Sequence, residues 1–377
     1  MELTEHCRNG DLVALQTYCA QANVTAKQIR KTHAIMWACA SGHLEVARWL
    51  QQSFQLTALD ARGSYFALQV ACANGHLEIA RWLQQTFQLT AADARAENNY
   101  ALCNACGNGN LEVASWLQWT FQLTAADARA DGNRALRVTC ANGHLEVARW
   151  LQQTFQLTAA DARADNNYAL LRACEYGHLE VACWLQQTFQ LTAADARAAD
   201  NDGLLSACAN GHLEVARWLQ QTFQLTAVDA RASNNWALHI ACANGHLEVA
   251  RWLQQTFQLT AADARTRNNG IMHEACTSNR LEVLRWLQCT WGIPPDALAD
   301  VSRTPKTEAC ASYLRGLRAL HMVPWSPRTH ADFPLVTRRL ALRLLLVCRR
   351  LTREPDGLPY LPPELWLHLL SYLPAWW

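Results

Sequence analysis

Gly143-His-Leu-Glu-Val-Ala-Arg-Trp-Leu151 recurs letter for letter at residues 211–219 and 245–253, and near copies run from Gly42 to Leu287. The glycines at 42, 75, 109, 143, 177, 211 and 245 stand 33 or 34 residues apart, with Asn279 next in register and Gly10 as a worn first copy. A period of this size belongs to helical solenoids, in which a unit too small to bury its own apolar face is covered by its neighbours.

Within one copy, Leu145, Val147, Ala148, Trp150, Leu151 and Phe155 recur at helical spacing, while Glu146, Arg149, Gln152 and Gln153 fall on the opposite face. Glu146 and Arg149, three apart, are placed to pair on that outer face. A shorter helix over 135–141 precedes it and ends at Gly143, the residue best able to take the left-handed exit conformation. After the long helix, Thr158 precedes Asp161 by three residues, a capping-box spacing repeated from Thr57/Asp60 to Thr260/Asp263. One or two further helical turns are expected there. The expected fold class is therefore all-α, a helical repeat solenoid of about nine units over 1–322.

Trp236-Ala-Leu-His239-Ile-Ala-Cys242-Ala-Asn-Gly245-His246 resembles the Thr-Pro-Leu-His-x-Ala-Ala and Gly-His pattern of the ankyrin repeat, and the likeness recurs over roughly residues 1–315. Ala replaces the family's Pro, and Phe-Gln-Leu-Thr-Ala-Ala-Asp-Ala-Arg stands where that family has a β-hairpin, so a short helix is expected in its place. Divergent arrays of this kind are similar to those of large DNA viruses and protists.

With 33 basic and 32 acidic side chains in 377 residues, the chain has no cationic excess for nucleic acid. Ten of its 15 cysteines, from Cys7 and Cys39 through Cys276 and Cys310, occupy one register position. Equivalent residues on stacked helices lie about 10 Å apart, and a disulfide needs α-carbons within about 7 Å. These thiols read as small core residues in a reducing compartment. No Cys/His cluster suits zinc, no phosphate loop, HExxH or nucleophile elbow is present, and no cofactor is implied. The amino terminus lacks a signal-peptide pattern, and the apolar stretch over 340–348 is too short to span a bilayer. The expectation is a non-enzymatic intracellular protein in the cytoplasm, with the nucleus as the alternative, and no membrane or nucleic-acid partner.

Most of the unit is copied, so the positions that change between copies are informative. The first is Phe66, Tyr100, Arg134, Tyr168, Asp202, Trp236 and Gly270; the second is Gln69, Cys103, Arg137, Leu171, Leu205, His239 and His273; the third is Val70, Asn104, Val138, Arg172, Ser206, Ile240 and Glu274. All three fall at the start of the shorter helix and are expected on one exposed side, which by the ankyrin resemblance lines a concave groove. Aromatic, Arg and His side chains among small ones make the kind of surface that anchors a protein partner; drift at unpacked sites is the alternative. The exposed Gln-Gln pair of the longer helix is nearly constant, with Trp119 for Gln and Cys183 for Arg as exceptions. The recurrent His43, His76, His144, His178, His212 and His246 are expected to bond turn backbone, and the eight in-register tryptophans from Trp49 to Trp286 to sit in the core.

The pattern decays from about Trp291. Residues 323–336 read as a proline-punctuated linker, and 337–377 as a separate helical module. In its last helix Pro362, Pro363 and Glu364 suit the first turn, and Leu365, Leu369, Leu370 and Leu373 form a stripe. Leu361, Pro362, Glu364, Leu365, Leu369, Leu370, Ser371, Tyr372 and Leu373 resemble the opening of an F-box, cut short as in poxviral ankyrin proteins. That resemblance implies a Skp1-like subunit of a cullin-RING ubiquitin ligase as partner, and an adaptor that brings it an unidentified target. The segment 344–351 is also similar to the Elongin-binding helix of a SOCS box. Two alternatives stand: a tail that folds back to close the array, and a plain scaffold or sequestering inhibitor with no ligase.

Overall fold

A computed structural model describes residues 2–63, 66–291 and Cys310. Every described element is helical, 26 in all, with no strand among the described residues. They cluster into two compact units, one of residues up to 203 together with 214–224, the other of 204–213 and the described residues from 225 to 291. Inside each, one three-part module repeats: a stub helix, a first helix and a second helix.

The stub Ala159–Ala162 replaces the hairpin of the ankyrin pattern. Thr158 closes it, its backbone N and its Oγ1 both donating to Asp161 Oδ2 at 2.8 and 3.0 Å. This satisfies donors that a helix start leaves open and sets an anion on the positive end of the helix. The same box closes the stubs at Thr90, Thr124, Thr192, Thr226 and Thr260.

The polar turn that follows is three consecutive left-handed residues, as in Asp131, Gly132 and Asn133 with φ of 51°, 62° and 59°. Asn99, Asn133, Asn167, Asn201 and Asn235 end these turns and are buried. Asn tolerates this backbone better than other side-chain-bearing residues. The turn reverses the chain so that the first helix presents Ala135, Leu136 and Cys140 to the core, against Val147, Ala148, Leu151 and Phe155 of the second helix Leu145–Phe155. Burying a leucine such as Leu151 contributes roughly 1.5–3 kcal/mol. First helices of successive modules pack directly on one another, as Ala96–Gly107 does on Ala130–Ala141.

Three columns of contacts recur along the array, the first within each second helix and the other two joining neighbouring modules. Each ring of Trp82, Trp116 and Trp150 meets the phenylalanine five residues on, edge to face at 5.6–5.7 Å. Only Trp184 and Trp252 are buried; Trp49, Trp82, Trp116, Trp150, Trp218 and Trp286 are half-buried, so the tryptophan column forms the core's margin. The helix-exit glycines take φ of 77–87°, and a Cβ on Gly143 would come within 2.5 Å of the His178 ring of the next module. The histidines bond backbone as expected, and the backbone belongs to the neighbour: His43 Nε2 and His76 Nε2 donate to carbonyls at the helix exit of the preceding module, Arg8 O at 2.7 Å and Ala40 O at 3.1 Å. Asn74 and Asn108 cap the same helix ends, on Ala40 O and Ala73 O.

The third column is ionic. Arg129 reaches the stub of the next module and donates from Nε and Nη2 to the two oxygens of Asp161 at 2.6 and 2.9 Å. Arg30–Asp60, Arg95–Asp127, Arg163–Asp195 and Arg231–Asp263 repeat the pair. The Arg hydrogen bond holds Asp195 and Asp263 down at about 2, below the ordinary carboxylate range, against the opposing pull of burial. The in-register cysteines are buried free thiols, and desolvation pushes Cys140, Cys174 and Cys242 well up. Among the described residues, no helix is long and apolar enough to cross a membrane.

Candidate interaction surface

The variable positions begin immediately after the left-handed turn, and the helix they start decides which of them reach solvent. At the first position Tyr100, Arg134, Tyr168, Asp202, Trp236 and Gly270 are half-buried. The third position, Val70, Asn104, Val138, Arg172, Ser206, Ile240 and Glu274, is half-buried too. The second position departs from the expected exposed side. Gln69, Cys103, Leu205 and His239 are buried at 3, 1, 9 and 0 % exposure, Arg137 and Leu171 are half-buried, and only His273 is exposed. Its place, three residues along from the first position and one before the third, turns it toward the next module. His239 shows what holds it there: its Nε2 lies 2.9 Å from Thr266 Oγ1, and its Nδ1 lies 3.7 Å from Glu274 Oε2. Cys103 is likewise a packed thiol, pushed up to about 11 by burial. These four side chains are enclosed and not presented to a partner. The Phe66 side chain and the tail residues Leu361, Pro362, Glu364, Leu365, Leu369, Leu370 and Leu373 lie outside what is described.

Within the first unit five variable side chains, Tyr100, Arg134, Arg137, Tyr168 and Arg172, join into one network. The Arg134 guanidinium sits over the Tyr100 ring at 5.1 Å. Tyr168 takes two guanidinium groups, Arg137 at 5.0 Å and Arg172 at 5.4 Å. Arg172 also lies 4.7 Å from the Tyr176 ring, donates to Tyr176 Oη at 2.7 Å and pairs with Glu175 at 2.6 Å. Arg137 pairs with Asp165 and donates to Asp131 O, while Arg134 meets Asp131 at 3.4 Å. Three cations, three carboxylates and three phenols thus share a partly exposed strip built by successive first helices. Stacking on tyrosine holds each guanidinium plane in place, so a partner meets oriented donors whose ordering cost is already met.

Glu175 and Tyr176 escaped the reading by variable positions because they sit at the far end of the first helix. Their signal was nonetheless present: four other copies carry Ala-Asn there, as in Ala141-Asn142 and Ala243-Asn244, and none carries an acidic or aromatic residue.

Among the described residues, no group of three or more His, Cys, Asp or Glu is placed to hold a metal. A stack of short helical modules with oriented side chains on its first helices defines a repeat protein that works as a binding surface. The chain matches the family model of ankyrin repeats over residues 3–93, 102–200, 170–263 and 204–297, and it belongs to that family. Ankyrin repeats are characteristic of protein–protein interaction scaffolds, and no catalytic family is indicated. No curated protein matches it significantly.

Proposed function

We propose that the chain is a protein-binding adaptor whose Tyr100–Tyr176 strip captures a target protein and whose carboxy-terminal segment presents that target to a cullin-RING ubiquitin ligase through a Skp1-like subunit. The observation that carries target capture is the joining of Tyr100, Arg134, Arg137, Tyr168 and Arg172 into one network by positions that change while the rest of the module is copied. Aromatic and Arg side chains are the residue types that dominate binding energy at protein interfaces. The first and third variable positions supply the contacts, with Arg137 from the second. The ligase connection is supported by the Leu361–Leu373 pattern, and by the gain in effective concentration when two docking modules share a chain.

A scaffold or sequestering inhibitor is the second reading, favoured by a family match that stops at residue 297, short of the F-box-like stretch. Co-purification with a Skp1-like protein separates the two. The adaptor reading expects capture by the full chain and its loss on Leu365→Asp with Leu369→Asp; capture that is absent, or indifferent to those changes, refutes it. Target capture is tested separately with Arg134, Arg137 and Arg172 changed to Ala, which abolishes it on this reading while helicity is retained.

A further inference from the structure

The second helix is the most faithfully copied part of the module, and Leu111–Phe121 breaks it twice on its outward side. Ser115 stands where Arg81, Arg149, Arg217 and Arg251 recur, and Trp119 where Gln85, Gln153, Gln221 and Gln255 recur. Both departures line one open groove of about 980 Å³, whose other wall carries Arg81 and Gln84 of the preceding second helix Leu77–Phe87. Trp119 is 74 % exposed, which is costly for so large an apolar ring left uncovered. Trp116, half-buried and edge-on to Phe121 at 5.6 Å, forms the floor. The serine has an electrostatic consequence as well. In four of the six copies that carry the arginine, the glutamate pairs with it three residues on, as in Glu45–Arg48 at 3.0 Å, Glu248–Arg251 at 3.4 Å and Glu282–Arg285 at 2.9 Å. With Ser115 in that place, Glu112 has no ion-pair partner among the described residues. Glu112, Trp116 and Trp119 follow one another at i, i+4 and i+7, on one helix face.

We infer that this groove is a second docking surface, separate from the Tyr100–Tyr176 strip, and that it takes a Lys or Arg side chain of a protein partner stacked on Trp119 and paired with Glu112. A free carboxylate and an exposed indole lining one groove, two turns apart on one helix face, favour a cation-bearing partner in two ways, by ion pairing and by the negative face of the ring. Arg81 on the facing wall repels a cation seated too far across and so confines it to the Glu112 side.

The test uses the full chain and two fluorescein-labelled peptides of equal length, one Ala/Arg and one Ala/Glu, followed by anisotropy at low salt up to millimolar protein. The Ala/Arg peptide binds the wild type and the Ala/Glu peptide does not. Trp119→Gln and Ser115→Arg each weaken that binding about tenfold. Both substitutions restore letters that other copies carry, so helicity and melting temperature stay as in the wild type. No binding of the Ala/Arg peptide, equal binding of the two peptides, or equal binding by wild type and Trp119→Gln overturns the inference. So does a dimer in sedimentation that is lost on Trp119→Gln, which assigns the groove to a second copy of the chain.

Discussion

Replacing Asp161 by Ala removes one side chain that serves two modules. The carboxylate is 7 % exposed and accepts four hydrogen bonds: from Thr158 N, from Thr158 Oγ1, and from Arg129 Nε and Nη2. Losing the cap costs about 1 kcal/mol. The Arg129 pair adds about 1 kcal/mol, since a charge-assisted hydrogen bond of about 1.5–3 kcal/mol must be discounted for a guanidinium whose side chain is 37 % exposed. The expected loss is about 2 kcal/mol in urea unfolding followed by circular dichroism. A cycle with Arg129→Ala isolates the pair, with an expected coupling of about 1 kcal/mol. Acid titration follows from the same geometry. The folded-state carboxyl is held below its ordinary value by the Arg129 hydrogen bond. Its contribution is therefore complete above about pH 4, the unfolded range, and is lost as pH falls through the lowered folded-state value. An Asp161→Ala chain should show a shallower loss of stability across that window. A cost below about 0.5 kcal/mol together with an unchanged acid profile would refute the claim that these carboxylates tie module to module.

Three further outcomes follow from the packing. Gly143→Ala should destabilise by about 2 kcal/mol in thermal unfolding, through a φ of 77° and the His178 ring 2.5 Å from the new Cβ, and adding His178→Ala should recover the steric part. Native-state alkylation read by peptide mass spectrometry should modify Cys183, which is half-buried, long before Cys140, Cys174 or Cys208, which are fully buried with thiols pushed far up by desolvation. His239→Ala should lower the melting temperature, whereas Arg134→Ala should leave it within a few degrees, because the first side chain is wholly enclosed and the second lies on the strip.

The period could be read from the recurrence of the letters, and the capping boxes and helix-exit glycines because each depends on residues within one turn of one another. Thr158 and Asp161 stand three apart in the chain, and so their contact is local. Arg129 and Asp161 stand 32 apart, and nothing local announces that they meet. The histidine after each glycine was recognisable as structural, yet its acceptor lies in the preceding module, 35 residues away for His43 and Arg8. The variable positions show the same limit. Their change of chemistry was visible in sequence, but whether a side chain three residues into a helix faces solvent or the next module depends on the angle at which modules stack. That angle put His239 and Cys103 inside and left Tyr168 and Arg172 on the strip. Sequence alone therefore determined the module, its helical class and where diversity is placed; tertiary packing decided which of those diverse residues a partner can touch, because exposure is a property of neighbouring copies and not of the copy itself.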